Sequence, residues 1–157
     1  MALAVRLERF LDQQGIAYKE RAIGRVPSLD AAVAALGQSR ETVIRATLLI
    51  DISGIVMVVH RYDSALDAEA LRKMTGRHLQ PLTAHQTMRL FSDCDPGFIP
   101  PIGNAYDLSV LLDDDIARAE QVLFSSGTDH SLVEMNSHAL SMAMAGSREG
   151  HLAIRGP

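Results

Sequence analysis

A segment rich in glycine and proline carries the clearest chemical signal in this sequence. Residues 95–103 read DPGFIPPIG, so Gly97 stands four residues before Pro101 and a second glycine, Gly103, follows. A glycine backbone can approach a ligand closely, and flanking prolines stiffen the loop that presents it. Such a loop can present main-chain polar groups to a ligand. The alternative is a purely structural role, in which these residues end a helix and turn the chain.

One charged residue interrupts an apolar strand pattern upstream of this loop. Residues 43–50 read VIRATLLI, and in a strand Arg45 and Thr47 share one face. Burying an unpaired arginine in a dry core costs a large amount of free energy, which predicts that Arg45 points into a cleft suited to a phosphate or ribose. The alternative is a surface arginine paired with an acid such as Glu41 or Asp51.

Four blocks in order resemble the YbaK/ProX family of editing domains over most of residues 20–140. The loop at Gly97 is similar to the family's Gly-x-x-x-Pro loop, and residues 43–50 are similar to its lysine-bearing strand. Residues 66–71 (LDAEAL) resemble the helix that follows the hairpin. Residues 124–127 (FSSG) and 132–135 (LVEM) resemble the closing strand–turn–strand.

The resemblance implies a trans-acting deacylase that hydrolyses the ester of a mischarged aminoacyl-tRNA at its acceptor end, with no cofactor, no metal and no DNA partner. Gly97 would position the water through its carbonyl, Arg45 would take the place of the family lysine, and the tRNA's own terminal hydroxyl would assist. The residues implied in substrate binding are Thr47, Phe98, Ile99, Pro100, Pro101, Ile102, Gly103, Ser126 and Gly127.

The arginine at position 45 departs from the family pattern. Arginine keeps the positive charge but presents a planar fork in place of a compact ammonium group, and Ala46 follows where the family has a small polar residue. This departure leaves a second function open, a non-catalytic module of the same fold that binds tRNA, a ligand or a protein partner. Such a module could be the regulatory part of a longer chain.

The pattern of elements predicts an α/β protein of the α+β type, with a mixed, mostly antiparallel central sheet surrounded by helices. Two β-branched runs, Val43–Ile50 and Ile55–His60, flank a short turn and predict a hairpin. Ser28, Asp67 and Thr83 are predicted helix caps. Further strands are predicted at residues 78–82, 108–112, 121–124 and 132–135, and a last helix is capped by residue 136 or 137. We expect one domain over residues 1–145 and a polar tail over 146–157.

Other reactive residue types have simpler explanations. Acids flank Cys94, which raises the pKa of its thiol and disfavours a thiolate nucleophile. The six histidines lack zinc-ligand spacing. Asp129-His130-Ser131 is typical of a turn, since adjacent residues rarely converge as a triad. Asp113-Asp114-Asp115 is predicted to cap a helical turn.

Composition limits the partners. The net charge is −4 with 4% aromatic residues, which disfavours a general RNA binder and leaves room for contact with an acceptor end only. No apolar run approaches the roughly 20 residues that span a bilayer, and a single cysteine excludes an intrachain disulfide. We therefore expect a cytoplasmic protein without membrane contact. The sequence predicts no oligomeric state.

Overall fold

The structure, a computed structural model, describes residues 3–37 and 42–156. Its helices are α1 (Val5–Gln13), α2 (Leu29–Leu36), α3 (Ala68–Thr75), α4 (Ala84–Leu90) and α5 (Ser137–Ala143). Its strands are β1 (Lys19–Ala22), β2 (Thr42–Asp51), β3 (Gly54–Arg61), β4 (Ser64–Leu66), β5 (Gln80–Pro81), β6 (Ser109–Asp113), β7 (Gln121–Ser125), β8 (Ser131–Asn136), β9 (Arg148–Gly150) and β10 (Ala153–Arg155). Single 3₁₀ turns cover Gly103–Tyr106 and Asp114–Arg118. No helix of the described residues is long and apolar enough to cross a membrane.

The main sheet has eight strands in the order β1-β8-β7-β2-β3-β6-β9, with β5 also paired to β2. The β2–β3, β2–β5, β1–β8 and β7–β8 pairs are antiparallel, whereas β2–β7, β3–β6 and β6–β9 are parallel. A separate two-stranded sheet joins β10 to β4. The predicted α+β fold with a mixed, mostly antiparallel sheet is confirmed.

One edge of β2 has a gap in its strand pairing. Strand β7 pairs with β2 only at Thr42 and Val43, and β5 pairs with it only at Leu49 and Ile50. Between these points, the described residues provide no strand neighbour on that edge, while β3 covers the other edge from Ile44 to Asp51. The gap exposes the middle of β2 to loops instead of to a neighbouring strand.

Local signals set the helix boundaries as predicted. The side chains of Ser28, Asp67 and Asn136 each accept a hydrogen bond from a main-chain N–H of the helix that follows. Thr83 and Gln86 form a reciprocal capping box at the start of α4. The predicted strand at residues 78–82 is reduced to Gln80–Pro81, which pair with Ile50 and Leu49 of β2.

The two faces of β2 contact different parts of the core. Ile44 and Leu48 pack into the larger apolar cluster together with α1, α5 and the loop after α4. Leu49, on the opposite face, packs into a smaller cluster with Leu71 of α3 and Leu152. Arg45 and Thr47 share the face of Leu49, so they point toward α3 and the smaller cluster.

The C-terminal residues differ from the expected polar tail. Residues 148–150 and 153–155 form β9 and β10, and Leu152 between them is 1% exposed. Asp113 is 2% exposed and accepts hydrogen bonds from the main-chain N–H groups of Leu152 (2.8 Å) and Ala153 (3.1 Å). Asp113 therefore fixes the C-terminal segment to the sheet, and it forms no side-chain cap on the turn that follows it.

Candidate functional site

The gap beside β2 opens onto a cavity of about 370 Å³. Four residues predicted from the sequence meet there: Arg45 and Thr47 from β2, and Gly97 and Ile99 from the glycine–proline loop. The remaining lining residues are Ser28, Leu29, Asp30, Ala46 and Tyr62. The two sequence features that suggested chemistry thus lie on one cavity, although 52 residues separate Arg45 from Gly97 in the chain.

The glycine–proline loop is held in place by a hydrogen-bonded junction with a second loop. The main-chain N–H of Asp95 donates to the carbonyl of Gly127 (2.8 Å), and its side chain accepts from the N–H of Asp129 (2.9 Å). Gly97 adopts a φ of +84°, a conformation that L side chains rarely adopt, with open space around the position of a Cβ. The loop therefore turns its glycine backbone toward the cavity.

The sequence predicts substrate contacts for seven further residues, all of which are buried in the structure. They do not line this cavity: Phe98, Pro100, Pro101, Ile102, Gly103, Ser126 and Gly127. A Cβ on Gly103 would lie 2.3 Å from Val110 Cγ2, and one on Gly127 would lie 2.5 Å from Ala4 Cβ. Both positions therefore require glycine because neighbouring side chains leave no room for a Cβ atom. Within the glycine–proline loop, Gly97 and Ile99 are the residues that line the cavity.

Arg45 lies at the centre of the site without a partner for its inner nitrogen. Its Nε atom is buried and has no hydrogen-bond partner among the described residues. The guanidinium carbon lies 5.9 Å from the ring centroid of Tyr62. Asp51, one of the acids considered as its partner, instead pairs with Arg77 (2.8 Å from Nε), and Glu41 lies outside the described residues. The pairing with Asp51 is therefore excluded.

Asp30 supplies a negative charge on the same cavity. Tyr62 donates a hydrogen bond from its hydroxyl to Asp30 Oδ1, and this bond raises the pKa of Tyr62 above its ordinary value. The cavity thus presents a carboxylate and a guanidinium that form no ion pair with each other. Sequence reasoning missed Asp30 and Tyr62, because 32 positions separate them and an acid in the first turn of a helix is common.

A chain of hydrogen bonds runs from Thr47 into the protein through His60. Ser64 donates its hydroxyl proton to the carbonyl of Arg61 (2.7 Å), so it accepts from His60 Nδ1 (3.0 Å). His60 Nε2 then accepts from the hydroxyl of Thr47 (2.8 Å). Burial, together with the positive charge of Arg45, lowers the pKa of His60 to about 4, so the ring is neutral at pH 7. Thr47 therefore keeps only acceptor capacity toward a ligand.

A second, larger cavity of about 420 Å³ adjoins the first, and Arg45 and Thr47 line both. His60 and Ser64 line its inner end. Its walls are mainly aliphatic and include Leu49, Leu66, Leu71, Leu79 and Pro81. The two cavities thus meet at the polar face of β2.

Among the described residues, two groups of side chains have the spacing to hold a metal ion: Asp95, Asp129 and His130, and Asp113, Asp114 and His151. Hydrogen bonds and ion pairs within the protein account for the first group, because Asp129 contacts both Arg25 (2.8 Å) and His130 (2.9 Å). Cys94 is buried, and burial raises the pKa of its thiol to about 12. It is not a candidate nucleophile.

We expect His60 to make the free energy of unfolding dependent on pH. Because the pKa of His60 is about 4 in the folded protein and about 6.5 in an unfolded chain, the unfolded chain binds the extra proton between these values. The contribution, about 3 kcal/mol at most, is complete above pH 6.5 and is lost as the pH falls toward 4. Denaturant unfolding of His60→Gln at several pH values should therefore give a flatter profile.

His151→Gln provides the matched control, because the side chain of His151 is 74% exposed. This variant should keep the wild-type dependence on pH. An unchanged slope in His60→Gln would contradict the neutral, buried state of His60.

Comparison with known proteins identifies a family for this chain. Residues 24–141 match the family described as the aminoacyl-tRNA editing domain. No curated protein matches the chain.

Solved structures share the fold at low sequence identity. A hypothetical protein, APE2540, superposes with a TM-score of 0.81 at 18% identity, covering 95% of this chain and 99% of that one. A candidate trans-editing enzyme for prolyl-tRNA synthetase superposes with a TM-score of 0.78 at 20% sequence identity, covering 98% of this chain and 97% of that one. A candidate signal transduction protein from Marinobacter aquaeolei VT8 superposes with a TM-score of 0.78 at 19% sequence identity, and this chain spans only 31% of that protein's length. Because the family match covers most of the sequence, the chain belongs to the aminoacyl-tRNA editing domain family, also known as YbaK/ProX.

Proposed function

We propose that this protein hydrolyses, in trans, the ester of a mischarged aminoacyl-tRNA. The observation that carries the proposal is the shared cavity of Gly97 and Arg45 at the gap in the sheet. The hydroxyls of three lining residues, Ser28, Thr47 and Tyr62, already take part in hydrogen bonds with Ala31 N, His60 and Asp30. We therefore assign the chemistry to main-chain groups and a bound water, which suffice for an activated ester.

Each charged group of the cavity has a counterpart in an aminoacyl ester. The substrate carries a free α-ammonium group, an ester carbonyl and a nearby phosphodiester. We assign the α-ammonium to Asp30, and the phosphate or the developing oxyanion to the guanidinium of Arg45. Gly97 orients the attacking water. Leu29 and Ile99 contact the amino-acid side chain, where a methylene changes binding by only about 1–3 kcal/mol.

The proposed partner is the acceptor end of a tRNA, and the proposed location is the cytoplasm, where tRNA is charged. A net charge of −4 supports a local contact with the end of the molecule over a grip along its length.

A second candidate is a binding module without turnover, used as the regulatory part of a longer chain. The Marinobacter protein supports it, since a domain of this fold there occupies about a third of a longer chain. Assay of the purified protein on a panel of tRNAs charged with small amino acids separates the two. Turnover on at least one supports the deacylase, and tRNA binding without turnover on any supports the module.

We predict that Gly97→Ala lowers kcat/KM for the best substrate by about a hundredfold, because a methyl group at this φ displaces the loop and enters the cavity. Strain at positive φ should also cost about 1–2 kcal/mol of stability. The measurements are single-turnover deacylation and denaturant unfolding.

Gly146→Ala is the matched control, since Gly146 has a φ of +87° and open space around it, and it does not line the cavity. It should show a similar loss of stability and normal deacylation. Equal activity losses in the two variants would mean that strain alone explains the effect.

We predict that the protein cleaves aminoacyl-tRNA in preference to its N-acetylated form, because acetylation removes the charge that Asp30 binds. Asp30→Asn should reduce this preference by about ten- to a hundredfold, the range expected for a hydrogen bond to a charged group. The amide can still accept from Tyr62. Asp12→Asn, at an exposed position of α1, is the control and should keep the wild-type preference for the unacetylated substrate. If Asp30→Asn also keeps this preference, the assignment of the α-ammonium group to Asp30 is refuted.

A further inference from the structure

The first turn of α1 is capped by an acid that lies far along the chain. Ala4, the residue before α1, carries no side-chain acceptor for the N–H groups of that turn. The carboxylate of Asp93 instead accepts from the main-chain N–H of Arg6 (2.9 Å), across 87 positions of sequence. An acceptor with negative charge stabilises this end of a helix. Asp93 therefore joins α1 to the segment between α4 and the glycine–proline loop.

The buried side chain of Tyr106 holds Asp93 in this position. Its hydroxyl donates to Asp93 and lies 3.1 Å from each carboxylate oxygen. The ring of Tyr106 is packed between the ring of Phe91 (4.4 Å between centroids) and the guanidinium carbon of Arg6 (4.7 Å). Burial raises the pKa of Tyr106, so the hydroxyl keeps the proton that it donates. The ring and its hydroxyl together hold Asp93 against the first turn of α1.

The start of α1 also contacts the turn that supports the glycine–proline loop. The main-chain N–H of Ala4 donates to the carbonyl of Ser126 (2.9 Å). The next residue, Gly127, has no room for a Cβ, because atoms of Ala4 (2.5 Å), Cys94 (3.1 Å) and Pro100 (3.4 Å) surround that position. Helix α1, this turn and the loop therefore meet in one close contact.

These contacts link α1 to the loop that carries Gly97. Asp93 stands four residues before Gly97 in the chain. The family match begins at residue 24, so α1 lies outside the matched range. We infer that Asp93 is a positioning residue, which sets the place of Gly97 by tying its loop to α1. This inference rests on the proposed function for the role of Gly97, while the position of Gly97 can be measured without a substrate.

A displaced loop should affect the chemical step more than substrate binding. Asp30 and Arg45, assigned above to the α-ammonium group and to the phosphate or oxyanion, belong to α2 and β2 and not to this loop. Gly97 orients the attacking water, and a displacement of about 1 Å at a reacting group can cost about a hundredfold in rate. Loss of the cap should therefore lower kcat and leave KM nearly unchanged.

The first test measures kcat and KM for single substitutions in the full chain. Asp93→Ala removes the cap and should lower kcat by about tenfold to a hundredfold with little change in KM. Asp93→Asn keeps an oxygen that can accept from the N–H of Arg6 and should retain most of kcat. Equal losses in the two variants would overturn the inference, because the cap would then not explain them.

Asn136→Ala is the matched control, because it also removes a helix cap. The side chain of Asn136 accepts from the main-chain N–H of Ala139 (2.8 Å) at the start of α5, whose residues lie outside the lining of the cavity at Gly97. This variant should lower the denaturant midpoint much as Asp93→Ala does, and it should leave kcat unchanged. An Asp93→Ala variant that is destabilised but keeps its kcat would show a purely structural role for Asp93.

A second test uses the amide NMR signal of Gly97 in the protein without substrate. Asp93→Ala should shift this signal, and Asp93→Asn, which also changes the nearby side chain, should leave it close to the wild-type position. Tyr106→Phe keeps the ring and removes only the hydroxyl that holds Asp93, so it should shift the signal in the same direction by a smaller amount. An unmoved signal in both Asp93→Ala and Tyr106→Phe would contradict the positioning role.

The two tests fail separately. If the wild-type protein turns over no aminoacyl-tRNA, but the Gly97 signal moves in Asp93→Ala and Tyr106→Phe and not in Asp93→Asn, the positioning role is supported and the deacylase is contradicted. Turnover by the wild-type protein with an unchanged kcat in Asp93→Ala would support the deacylase and overturn the positioning role.

Discussion

The candidate site depends on an interrupted strand pairing. Strand β2 is covered by β3 along one edge, but on the other edge β7 and β5 pair only with its two ends. Loops therefore approach the middle of the strand, where Arg45 keeps a buried Nε without a hydrogen-bond partner in the described part of the chain. A buried polar group without a partner costs about 1–3 kcal/mol, so this arrangement is unfavourable for the free protein and becomes favourable when a ligand accepts the bond.

The surrounding charges keep Arg45 available. Asp51 is bound to Arg77, and Asp30 is bound to the hydroxyl of Tyr62. His60, the neighbour of Arg45 on β3, is neutral because burial and the arginine itself lower its pKa. The result is a cavity with separated positive and negative groups, which complements a substrate that carries an ammonium group close to a phosphate or an ester. The glycine–proline loop, whose proline and phenylalanine side chains are largely buried, places Gly97 on the same cavity as Arg45.

The sequence predicted features whose causes are local. The caps at Ser28 and Thr83 and the β2–β3 hairpin follow from short-range hydrogen bonding and β propensity, and the structure confirms them. The shared cavity of Arg45 and Gly97 was expected from the family resemblance. The contact between Asp30 and Tyr62 depends on how α2 packs beside β3, which no short pattern encodes. The C-terminal segment was misassigned because its polar residues conceal one buried leucine and its anchor, Asp113, lies 39 residues earlier.

The central claim is that the buried Nε of Arg45 has no hydrogen-bond partner among the described residues, and that this lowers the stability of the ligand-free protein. The most direct measurement is the free energy of unfolding of Arg45→Met, which keeps a long apolar stem and removes the unpaired nitrogen. The account predicts that the variant is more stable than the wild type in the absence of ligand, by about 1 kcal/mol or more. A variant that is less stable than the wild type would contradict this account, because Arg45 would then stabilise the folded protein in the absence of ligand.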